Sequence, residues 1–145
     1  MKKLISQLLS RGSDKRTNLI KYIEFNGIIY MVIGLSFFFL TNILSSMGII
    51  PKFYGNEEGF IQLLGFSVLI IGHYYFFGAR THKMSFCLST VFGRLLLVPI
   101  FFSILIINNA LDIGFLIPPL ILDILLALGA FYLWIKESSI TIPPE

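Results

Sequence analysis

Charge is what this sequence has least of. Asp, Glu, Lys and Arg make up 13% of the 145 residues, about half the share usual in a soluble domain. Apolar residues make up 56%, and mean hydropathy is +0.85. A soluble fold of this length cannot hide so much apolar surface, so lipid must be the solvent for much of the chain. Cysteine is nearly missing too. Cys87 is the single copy, which excludes an intrachain disulfide and a C-x-x-C redox pair; it reads as a small packing residue.

Several chemistries are excluded by missing motifs. There is no G-x-S-x-G, no P-loop and no dinucleotide fingerprint. Of the two histidines only His73 falls within a membrane stretch, so one chain cannot supply a bis-histidine haem. No cluster of Glu and His suits a di-iron site. No cofactor and no metal are expected, and no catalytic residue is assigned.

What is present is long apolar sequence. Four stretches, at about 27–47, 59–79, 86–107 and 115–135, each approach the roughly 20 residues needed to cross a hydrocarbon core. "GIIPKFYGNEE" and "NNALDIG" read as loops and "RTHKMS" as a tight polar turn. The strands of a barrel would alternate in polarity and these stretches do not. The expected fold is all-α, a left-handed four-helix transmembrane bundle forming one membrane domain over 26–136, with a tail at 137–145.

The few charges are unevenly placed. Lys2, Lys3, Arg11, Lys15, Arg16 and Lys21 precede the first span; Arg80 and Lys83 lie between the second and third, and Lys136 follows the fourth. The first loop has only Lys52 and the third loop has no basic residue. Nine basic residues against one predicts, by the positive-inside rule, a multi-pass inner-membrane protein with both termini cytoplasmic. Residues 1–25 read as a cytoplasmic basic segment. In "KKLISQLLS", Leu4, Ile5, Leu8 and Leu9 share one helical side. An interfacial amphipathic helix is therefore expected, its basic residues facing anionic lipid headgroups. Nucleic acid is not needed as a partner.

Small residues predict the packing. Gly27, Gly34, Thr41 and Gly48 recur every seven residues in the first span, as do Gly65, Gly72 and Ala79 in the second. Such stripes let helix backbones approach closely in lipid, within one chain or between copies. Ser89 and Gly93 form a similar pair in the third span, and Ala127 and Ala130 serve the fourth. Pro99 predicts a kink or a lost hydrogen bond in the third span. Pro118 and Pro119 are expected in the first turn or so of the fourth.

Two charges stand inside spans. Arg94 lies about eight residues into the third span and Asp123 about twelve from the cytoplasmic end of the fourth. At ~1.5 Å per residue their depths differ by about 6 Å. The spans are consecutive and antiparallel, so the two residues are expected to form an intramembrane ion pair, either as a structural clamp or as a ligand site. A second cluster is "GHYYFFGARTH". His73, Phe76 or Phe77, and Arg80 share a face by helical spacing. A buried neutral His73 with Tyr75 could relay a proton or bind a headgroup; the plainer reading is an aromatic belt with Arg80 as its anchor.

The order "GHYYFFGAR", "FGRLLLVP", "LDILLALGAFYLW" resembles small four-span bacterial integral membrane proteins of uncharacterised function. The matching positions are Tyr74, Tyr75, Arg80, Gly93, Arg94 and Asp123, over residues 72–134. The resemblance implies no activity. The general shape is also similar to DoxX-like proteins and to the glutathione-linked MAPEG enzymes, whose Glu-Arg-x-x-Asn signature is absent here.

The leading functional expectation is a non-enzymatic membrane protein that binds a lipid or small amphiphile, or an accessory subunit, with Arg94–Asp123 at its centre. It would pair with another membrane protein or with its own copies. The alternatives are a small homo-oligomeric transporter or channel using the same pair, and an enzyme using His73, Tyr75 and Arg94 on a lipid-soluble substrate.

Overall fold

The computed structural model describes residues 12, 15–52, 56–108 and 113–141. Among them there is no strand. Four helices are long and apolar enough to cross a membrane: Asn18–Phe39, Glu57–Arg80, Met84–Ile107 and Ile113–Ser139. The protein is therefore an all-α, four-span membrane protein. We label its helices α1 (Asn18–Phe39), α2 (Thr41–Ser46), α3 (Glu57–Arg80), α4 (Met84–Phe92), α5 (Val98–Ile107) and α6 (Ile113–Thr141), with a π-helical turn, Gly93–Leu97, joining α4 to α5. The proposed amphipathic helix at Leu4–Leu9 lies outside the described residues.

Much of the large apolar surface faces outward, although Leu19, Ile20 and Ile23 are fully buried. Phe39, Phe60, Phe101 and Ile107 are exposed, while Glu24, Asn26, Thr41, Thr90 and Arg94 are buried, as are Ala79, Val91, Ala127 and Ala130. Large apolar side chains outside and small or polar ones inside is the distribution lipid favours, because hydrocarbon solvates the former and not the latter.

α1 begins nine residues before the apolar run that marks it in the sequence. Thr17 is its N-cap, with Oγ1 accepting the N–H of Ile20 at 3.3 Å, as a hydroxyl one step outside a helix does. Lys21 and Glu24 interrupt the apolar run but not the helix, so residues 18–25 are continuous with the helix of the first candidate span. At the other end, α2 continues the path after a break at Leu40 and stops at Gly48, whose φ is +73°. Ile49 N–H returns to Leu44 O and Gly48 N–H to Ser45 O, the paired bonds of a glycine-terminated helix. Gly48 thus ends the stripe of small residues rather than packing in it.

The chain forms two compact units, Glu24–Phe77 and Met1–Ile23 with Gly78–Glu145. In the first, α1 and α3 meet backbone to backbone. A Cβ on Gly27 would sit 2.5 Å from Phe76 N and 2.8 Å from Gly72 O; one on Gly34 would sit 2.5 Å from Leu69 N and 2.6 Å from Gly65 O. The pairs 27 with 72 and 34 with 65 define an antiparallel register one heptad apart. About two turns further, Asn42 Nδ2 donates to Glu58 at 2.9 Å, close to the same register. Tyr30 and Tyr75 pack edge to face at 5.5 Å. The stripe expected from spacing is here the interface itself.

In the second unit, α6 packs along α4, the π turn and α5. Gly129 on α6 admits the Tyr22 hydroxyl, and Gly78 admits the Phe86 ring. Gly12 donates its N–H to Arg80 O at 2.8 Å and lies against Thr81, where no Cβ would fit. Asn18 and Leu19 at the start of α1 both donate N–H to Glu137 Oε1 near the end of α6. A carboxylate there matches the partial positive charge of a helix N-terminus. Pro118 and Pro119 fall in the second turn of α6, inside the helix, because α6 starts at Ile113 and not at 115.

One packing expectation is corrected. Ser89 is exposed and a Cβ on Gly93 would meet nothing within 4 Å. That small pair takes no part in packing among the described residues, because the buried side of α4 is Cys87, Thr90 and Val91.

The contrast gives a direct test. Gly34→Leu or Gly72→Leu must drive the two backbones apart and is expected to cost about 3 kcal/mol or more by overpacking. Gly93→Ala and Gly59→Ala, which open onto empty space, are expected to leave the SDS-induced unfolding midpoint unchanged. Equal effects at both pairs of sites would contradict the register.

Candidate functional site

The π turn is built around Arg94. Val98 N–H reaches back five residues to Gly93 O. Pro99 follows immediately, at the start of α5. A proline there has no N–H to give, and its ring would strike the carbonyl four residues earlier in a regular α-helix. Widening the turn relieves that clash, so the kink expected from Pro99 takes the form of a π turn. Such single wide turns often mark functional positions.

Arg94 is 3% exposed. Its Nε donates to Thr90 O at 3.2 Å, and the Thr90 hydroxyl donates in turn to Cys87 O at 2.8 Å. The guanidinium therefore draws back toward the Met84 end of its span. α6 packs against this turn and carries Asp123, which is half-buried. Arg94 lies thirteen residues before Ile107, and Asp123 lies ten after Ile113. Their backbones thus differ in depth by about three residues, or ~4.5 Å.

The aromatic cluster is arranged differently from expectation. His73 is exposed, not buried. Its ring lies 4.5 Å from Phe77 and 5.9 Å from Tyr74, so the expected contact at i, i+4 forms on an outer face. Tyr75 is half-buried against Tyr30. Arg80 closes α3, its cation at the helix end where the dipole favours it, and its carbonyl receives Gly12.

Two buried polar residues escape a reading based on apolar runs. Glu24 is 7% exposed and Asn26 is 0% exposed, both on α1. The clue was available: Ile20, Gly27 and Gly34 continue the seven-residue stripe backward, which extends the helix through "YIEFN". Both amide atoms of Asn26 lack a hydrogen-bond partner among the described residues. A buried amide left this way costs about 1–3 kcal/mol. Asn26→Leu is accordingly expected to raise stability by an amount of that order in thermal or SDS unfolding. A loss of stability would mean that the amide is engaged in the membrane by water or a bound molecule.

No family model, no curated protein and no solved structure matches this chain, so its function has to be argued from the residues and geometry above.

Proposed function

We propose that this is a non-enzymatic protein of the bacterial inner membrane that binds a lipid or small amphiphile, or serves as an accessory subunit, with Arg94 and Asp123 as its charged centre. The observation that carries the reading is a guanidinium 3% exposed inside a membrane-crossing helix, at a π turn packed by the helix that bears Asp123. Hydrocarbon supplies no counterion, so an ionisable group at that depth marks a functional candidate and calls for compensation. Low-dielectric surroundings strengthen the attraction between opposite charges. The nine-to-one bias of basic residues supports cytoplasmic termini. A cysteine placed at Lys52 is then expected to react with an impermeant maleimide from outside intact cells, and one at Lys83 only after lysis; the reverse pattern inverts the orientation.

Arg94→Leu and Asp123→Leu together are expected to be less destabilising than the two single effects added, by about 1–3 kcal/mol. Additive losses would remove the coupling. Native mass spectrometry of the wild type released from its membrane is expected to show a retained amphiphile that the double variant lacks. A bare chain in both would leave only the accessory-subunit role.

A further inference from the structure

A second place in the fold has the character of a ligand site and lies away from Arg94. A cleft of about 460 Å³ opens in the unit that contains α4 and α6, lined by Lys15, Arg16, Thr17, Met84, Trp134 and Glu137 among others. Its level is fixed by the helices around it. Asn18 and Met84 are the first residues of two membrane spans, and Trp134 stands five residues before the end of another. The cleft therefore lies where hydrocarbon gives way to headgroups, the depth at which tryptophan is favoured.

The lining is divided by chemistry. Trp134, stacked on Phe131 at 5.5 Å, and Met84 form an apolar wall. Lys15, Arg16 and the Thr17 hydroxyl form a polar one. Glu137 is the one carboxylate among the lining residues, and Asn18 and Leu19 N–H direct its Oε1 into the start of α1. Lys15 and Arg16 are the basic residues of the lining. Exposed Lys21, Lys83 and Lys136 lie within about one turn of lining residues and extend the positive field. A volume of this size holds a small amphiphilic group. Cations over an apolar wall at headgroup depth suit a phosphodiester joined to a glycerol backbone.

We infer that this cleft is a binding site for the phosphate-bearing headgroup of an anionic lipid. The inference does not depend on the Arg94–Asp123 coupling, and its test touches neither residue.

Trp134 is the single tryptophan of the chain, so its fluorescence reports the cleft without labelling. The full-length protein would be reconstituted with brominated phosphatidylglycerol or brominated phosphatidylcholine, whose bromines quench a neighbouring indole. The anionic lipid is expected to bind roughly tenfold or more tightly, with about fivefold lost in Lys15→Ala and again in Arg16→Ala, in line with the attraction of surface cations to anionic lipid. Lys15 is exposed, so its removal leaves the fold intact even if Arg16→Ala does not fold. Equal quenching by the two lipids, or an anionic preference unchanged in Lys15→Ala, would overturn the site and leave Trp134 as an ordinary interfacial anchor. Relief of the excess quenching by millimolar inorganic phosphate would overturn the lipid assignment in favour of a soluble phosphate.

Discussion

A guanidinium cannot be left to hydrocarbon, and the local structure of the third span follows from that constraint. Arginine does not shed its charge, so Arg94 must be enclosed, hydrogen-bonded and electrically balanced by the protein. Arg94 is buried, and α6 packs against α4, the π turn and α5. The hydrogen bond comes from the Thr90 carbonyl. The widened turn that carries Arg94 accommodates Pro99, whose ring and missing N–H disturb the regular helix in the turn before it. Two features that look unrelated in sequence, a buried cation and a mid-span proline, are thus parts of one local solution.

The unit built from α1 and α3 meets a different constraint. Lipid gives no hydrophobic drive for helices to associate, so contact area and close approach must supply it. Glycine at 27, 34, 65 and 72 brings two backbones together at two levels one heptad apart. Any side chain there would hold them apart. The same unit also encloses Asn26, a polar group that stabilises nothing visible in the fold. Membrane proteins retain such groups at sites of function more readily than at sites of packing.

Most of the fold was legible because lipid imposes simple rules. Four apolar runs became four spans, and the heptad of small residues became an interface. The errors also have physical causes. The start of α1 was hidden because Lys21 and Glu24 interrupt an apolar run without breaking a helix, and Glu24 and Asn26 were hidden with it. Ser89 and Gly93 have the spacing of an interface but lie on the open side of α4, since spacing alone does not say which face is covered. The cleft beside Trp134 joins residues more than a hundred positions apart, from Lys15 to Ser138, and no local pattern announces it.

The claim on which this account turns is that the protein, and not the headgroup region, holds the Arg94 charge. Solid-state nuclear magnetic resonance in bilayers can decide it, with the arginine guanidinium nitrogens labelled in ¹⁵N and the threonine carbonyls in ¹³C. An Arg94→Lys variant, whose side chain carries no guanidinium, identifies the Arg94 signal by its disappearance. The account predicts dipolar dephasing of that signal by a threonine carbonyl, that of Thr90, and none by lipid ³¹P. Dephasing by phosphorus would show that Arg94 snorkels to a lipid phosphate, and the enclosed charged centre would have to be abandoned.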